Sequence, residues 1–113
     1  MINTNNDECE NKIDTELNKR IKDMKDILNG KNILENINIS LSYDKVIHYK
    51  LELSYSGLQG LQDYFEFVCD EDYFLLEITY HWMNLGCHAS RMINPESMDF
   101  KVLEQIFNYI ILN

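Results

Sequence analysis

Residues 64–82 read YFEFVCDEDYFLLEITYHW, and this stretch decides the fold. Two runs in which apolar or aromatic residues alternate with polar ones flank an acidic interruption, Asp70-Glu71-Asp72. A period of two is the mark of a β-strand with one buried face. Phe65, Phe67 and Cys69 fall on one face of the first run, and Phe74, Leu76, Ile78, Tyr80 and Trp82 are assigned to the same side. Strands over 63–70 and 73–83, joined by a two-residue tip at Glu71-Asp72, make a hairpin. In that register Cys69 faces Phe74, Phe67 faces Leu76 and Phe65 faces Ile78. On the other face Val68 meets Leu75, Tyr64 meets Thr79, and Glu66 lies directly opposite Glu77.

Working outward, 33–42 and 46–55 alternate in the same way, with Ile33, Ile37, Ile39 and Leu41 on one face of the first and Ile47, Tyr49, Leu51, Leu53 and Tyr55 on one face of the second. A turn at Tyr43-Asp44-Lys45 joins them into an earlier hairpin. The glycines of 56–62 mark a loop, and without a lysine it is no phosphate cradle. The period changes at both ends of the chain. Ile13, Leu17, Ile21, Met24 and Leu28 recur every three or four residues and predict a helix over 7–29, stopped by Asn29-Gly30. Asn94-Pro95-Glu96 predicts a helix start, and Leu103, Ile106, Phe107, Ile110 and Ile111 form the apolar stripe of a helix to about residue 111. Residues 84–93 read either as loop or, over 87–93, as a fifth strand. The expected fold is α+β: an antiparallel meander of four or five strands flanked by an N-terminal and a C-terminal helix, both on one face.

The chain of 113 residues is the size of one domain, and with 45% apolar and 12% aromatic residues it can build a core. One domain over 1–113 is expected, with 1–6 disordered. The polar, acidic Met1–Glu10 segment does not resemble a secretory signal, and no apolar run is long enough for a membrane span. Cys9, Cys69 and Cys87 are odd in number and widely spaced, so all three are expected as reduced thiols in a cytoplasmic protein.

Several chemistries can be weighed from residue types. Cys69, His81, Cys87 and His88 are potential zinc ligands, but their spacing fits no paired pattern. Cys87 beside His88 suggests a thiol with a base, yet neighbours on a strand point to opposite faces. Glu66 and Glu77 could imitate a glycosidase carboxylate pair, but the chain offers no evident cleft. No catalytic residue, metal or other cofactor is therefore expected, and the chain is not expected to be an enzyme.

The charge is more informative. Nineteen acids against ten bases give a net charge of −9, which excludes naked nucleic acid and anionic membrane as partners. Between Leu51 and Ser90 there is no lysine or arginine, and this segment holds Glu52, Asp63, Glu66, Asp70, Glu71, Asp72 and Glu77. Solubility alone would not need such focus. Tyr64, Glu66, Asp70, Glu71, Asp72, Tyr73, Glu77 and His81 are the expected contact residues for a basic protein partner.

Through its size, the acidic hairpin from Tyr64 to Trp82 and the terminal helix opened by Asn94-Pro95-Glu96, the chain resembles bacterial toxin-immunity proteins of the contact-dependent or polymorphic-toxin type. The resemblance implies an immunity protein that neutralises a cognate basic toxin, a nuclease being one candidate, by direct binding. A phage-type inhibitor of a nucleic-acid defence system and an acidic secretion chaperone are the alternatives.

Overall fold

The computed structural model describes residues 4–30, 37–44, 48–55, 61–84 and 86–112, with side chains over 8–30, 62–84 and 86–112. Helix α1 spans Thr4–Leu28, strands β1 to β5 span Ile37–Asp44, His48–Tyr55, Leu61–Cys69, Leu75–Asn84 and Cys87–Met92, and helix α2 spans Met98–Leu112. The strands lie in sequence order and each pairs antiparallel with the next. The chain is thus α+β with an antiparallel sheet, as the alternating periods predict. The three strands with described side chains, β3 to β5, form the floor on which both helices rest.

Helix α1 buries Ile13, Ile21 and Met24, with Leu17 partly covered, as its stripe predicts. Cys9 extends the stripe one turn earlier, and the helix takes in residues 4–6, where disorder is expected from sequence. At the other end Ile27 packs on the core while Leu28 faces solvent. The stop is as expected: Gly30 has φ +94°, and its amide donates to the Ile27 carbonyl at 3.1 Å.

The start of α2 differs from expectation. Asn94 does not cap the helix; its side-chain oxygen accepts from the Glu96 amide at 3.0 Å, closing a turn. The cap is Ser97, whose hydroxyl oxygen accepts from the Phe100 amide at 3.2 Å. The helix then buries Phe100, Leu103, Ile106 and Phe107. Phe107 stacks on Phe67 of β3 with ring centroids 5.7 Å apart, which seats α2 on the sheet. Helix α1 lies across β4 and β5 and against α2. Phe65, Phe67, Cys69, Ile78, Tyr80, Trp82, Cys87 and Ala89 supply the sheet's share of the core.

A disulfide and several ion pairs fix α1 to the sheet. Cys9 and Cys87 form a disulfide, which overturns the expectation of three reduced thiols. Wide spacing in sequence says nothing about distance once α1 lies on β5, and these two sulfurs meet there. Cys69 remains a buried thiol on the core face. The expected cytoplasmic location rested on reduced cysteines and loses that support. No helix among the described residues is long and apolar enough to cross a membrane. The ion pairs, Arg20 to Asp63 and Arg91 to Glu10 and Asp14, are described below.

Candidate functional site: the outer sheet face and the β3–β4 tip

The β3–β4 hairpin carries all the expected contact residues, but its register differs from the expected one. Phe65 faces Tyr80, Phe67 faces Ile78, Tyr64 faces His81, Glu66 faces Thr79 and Val68 faces Glu77. Glu66 and Glu77 are therefore not opposite each other. The cause is the turn. A two-residue tip at Glu71-Asp72 would need positive φ at Glu71, alone or together with Asp72, and a glutamate has no ready access to that region. Instead the Asp70 carboxylate accepts from the amides of Asp72 and Phe74, each at 2.9 Å, and the Tyr73 amide donates to the Asp70 carbonyl at 3.0 Å. Within this turn only Tyr73 takes a positive φ, of 61°. This longer turn moves the pairing by two residues, which keeps most side chains on their expected faces.

The remaining mismatch is absorbed by an irregularity between Val68 and Cys69, where Cys69 pairs with Leu75 and Val68 with Glu77. Leu76 is the extra residue. It is 46% exposed and Phe74 is 71% exposed, although the simple alternation puts both in the core. With Tyr73, 41% exposed, they make an apolar tip. Glu71, Asp72 and Glu77, next to it in the chain, are exposed as well, and Asp70 at the start of the turn is half-buried. So Asp70, Glu71, Asp72, Tyr73 and Glu77 are brought together, and Phe74 and Leu76 join them.

Tyr64, Glu66 and His81 lie apart from this tip, further along the outer face. The Tyr64 ring stacks on His81 with centroids 4.5 Å apart. His81 Nε2 is 3.6 Å from a Glu66 carboxylate oxygen, and His81 Nδ1 is 3.1 Å from His88 Nε2. The Ser90 hydroxyl sits 3.2 Å from His81 Nδ1 and 3.4 Å from His88 Nε2. Sequence reasoning grouped His88 with His81 only as members of a possible zinc set with two cysteines and gave no reason to add Ser90, which the β4–β5 pairing supplies: His81 faces Ser90, and Met83 faces His88. The four-residue zinc set is divided. Cys87 is in the disulfide and Cys69 points into the core, on the face opposite the histidines. Among the described residues no three His, Cys, Asp or Glu side chains are placed to hold a metal.

Asp63 is the acid that does not belong to the surface. It is 3% exposed, and Arg20 grips it with two bonds, Nε to Oδ2 at 2.6 Å and Nη2 to Oδ1 at 3.0 Å. The Tyr80 hydroxyl donates to the same carboxylate at 2.6 Å. Burial, reinforced by this bond, pushes the Tyr80 hydroxyl pKa far up. The parity of Asp63 with Phe65 and Phe67 was the available signal that it faces inward. The surface acidity between residues 51 and 90 is accordingly that of the other acids. Arg91, the first base beyond that segment, is taken up by Glu10 at 2.8 Å and Asp14 at 3.1 Å on α1, and its hydrogen bond to Glu10 raises its pKa.

Fold and site together define a small α+β domain with a sheet face that neither described helix covers and an acidic, apolar hairpin tip. No protein-family model matches the chain, and comparison with curated proteins and with solved structures gives no match either.

Proposed function

We propose that the chain is a binding protein whose β3–β4 tip docks on a basic protein, the partner being a toxin domain that it neutralises. One observation carries this reading: Tyr73, Phe74 and Leu76 are exposed on a hairpin end that also exposes Glu71, Asp72 and Glu77, in a segment without lysine or arginine. Acidity that served only solubility would surround polar residues. A folded chain gains nothing by exposing a phenylalanine and a leucine side by side. Aromatic anchors within a charged rim are the usual make-up of a binding hot spot. The tip is also held rigid by the Asp70 bonds, so little ordering cost remains to be met on docking.

The disulfide bears on where the partner is met. Disulfides persist in oxidising compartments. The inhibitor of a nucleic-acid defence system works in a reducing cytosol, and a secretion chaperone does so too, so both alternatives are less favoured. By the same reasoning a toxin acting outside the cytosol fits better than a nuclease.

The experiment is capture from the source cells by the oxidised protein, followed by calorimetry on the purified partner. Phe74→Ala is expected to weaken binding by about 2 kcal/mol or more. Asp72→Lys is expected to slow association and flatten its salt dependence. Toxicity of the partner should be suppressed by co-expression of the wild-type chain and restored with Phe74→Ala. A partner with an acidic surface, or one bound equally well by both variants, would show that the tip is not the docking site.

A further inference from the structure

The cluster of His81, His88 and Ser90 lies on the outer face, away from the tip, and is not needed by the reading above. Its three polar atoms form a nearly equilateral triangle: His81 Nδ1 to His88 Nε2 is 3.1 Å, His81 Nδ1 to Ser90 Oγ is 3.2 Å and His88 Nε2 to Ser90 Oγ is 3.4 Å. Hydrogen bonding alone accounts poorly for this shape. An imidazole nitrogen has a single in-plane lone pair or a single N–H, so it aligns with one neighbour and not with two. A cation above the triangle receives both lone pairs and a hydroxyl oxygen at once. Tetrahedral ligation at a metal–nitrogen distance of about 2.0–2.1 Å sets ligand atoms about 3.3 Å apart, which is the size of this triangle.

We propose that His81 Nδ1, His88 Nε2 and Ser90 Oγ bind one divalent late transition-metal ion, with Zn²⁺ as its representative. Two imidazoles select this class over Mg²⁺ or Ca²⁺, which prefer all-oxygen shells. The surroundings support the ligands. The second nitrogen of His81 lies 3.6 Å from a Glu66 carboxylate oxygen, beyond hydrogen-bond distance but close enough for the negative charge to favour an imidazole that holds a cation. Tyr64 stacks against the same ring, nearly parallel at 15°, and fixes its plane. His81 is half-buried while His88 and Ser90 are exposed, so one ligand is held and the site is open to entry. The negative field of the chain favours a cation there. The open coordination positions face solvent and take water or a donor from outside. The site differs from the divided zinc set, since it uses no sulfur.

The test titrates ZnCl₂ into the full-length, disulfide-bonded protein by calorimetry at neutral pH, with imidazole ¹⁵N spectra as a second readout. A saturable one-to-one isotherm is expected, with perturbation at the Nδ1 of His81 and the Nε2 of His88. His88→Gln and His81→Gln should abolish it, Glu66→Gln should weaken it about tenfold, and His48→Gln should leave it unchanged. Affinity should fall as the solution is made more acidic, because protons compete with the metal for the same lone pairs. His88 is exposed, so its variant folds, and melting in metal-free buffer verifies that. Absence of saturable binding by the wild-type chain, or wild-type affinity in His88→Gln, overturns the proposal and leaves a hydrogen-bonded histidine pair. No partner protein enters this test, so it stands or falls independently of the docking reading.

Discussion

Arg20 and Asp63 stand 43 positions apart in sequence and meet as a bidentate pair beneath the sheet. Taking a carboxylate out of water is costly unless it is paired, and here the guanidinium and the Tyr80 hydroxyl together satisfy it. Removing one partner leaves a buried charge uncompensated. Arg20→Met is therefore expected to destabilise by about 3–5 kcal/mol in urea unfolding, and Tyr80→Phe by about 1–3 kcal/mol. The raised Tyr80 pKa adds a pH dependence with a definite sign. Folding favours the protonated hydroxyl, so this contribution is whole below the ordinary tyrosine value of 10.0 and is lost as pH rises beyond it. Thermal melts from neutral to strongly alkaline pH should show the fall, and Tyr80→Phe should make it shallower. At Cys69, fully buried among apolar neighbours, Cys69→Ser is expected to cost about 1–3 kcal/mol by the same unfolding measurement.

At the scale of elements, the turn between β3 and β4 governs the rest of the hairpin. Tyr73 occupies a left-handed conformation that glycine or asparagine accepts more readily. Tyr73→Gly is thus expected to stabilise the free protein by up to about 1 kcal/mol in urea unfolding while weakening partner binding. Strain kept at an exposed aromatic tip is itself in keeping with a docking role, and a substitution that improved both stability and affinity would argue against it. The corrected register also removes one expectation. Glu66 and Glu77 do not face each other, so replacing both by glutamine should bring no relief of repulsion between them. In the register Glu66 has Glu52 of β2 as its other neighbour. At α2, Ser97→Ala should cost about 1 kcal/mol, because Ser97 and not Asn94 caps the helix.

On the scale of the whole molecule, the Cys9–Cys87 disulfide closes a loop with a sequence separation of 78 and pins the first helix to the last strand. A cross-link over so long a loop restricts the unfolded chain, and its loss is expected to cost about 2–4 kcal/mol. Melting with and without reductant, alongside a Cys9→Ser/Cys87→Ser variant, checks this. Equal melting temperatures in both states would mean that the bond is not formed in solution. The long loop also makes α1 the element most dependent on oxidation, although Arg20–Asp63 and the Arg91 contacts to Glu10 and Asp14 hold it by other means.

The sequence by itself determined the order of helix, strands and helix, the inward faces of α1, α2 and most of β3 and β4, and the concentration of acids between residues 51 and 90. All of these are local: they depend on hydrophobic period and on composition, which neighbouring residues carry among themselves. Tertiary structure decided the rest, because it depended on which distant residues meet. Period two is unchanged by a shift of two residues, so alternation alone could not choose between a tip at Glu71-Asp72 and the longer turn led by Asp70. That choice separated Glu66 from Glu77 and turned Phe74 and Leu76 outward. Packing of α1 on β4 and β5 joined Cys9 to Cys87 and hid Asp63 under Arg20, and pairing of β4 with β5 gathered His81, His88 and Ser90. Each of these contacts links residues whose spacing along the chain carries no periodic signal, and only the folded backbone brings them within bonding distance.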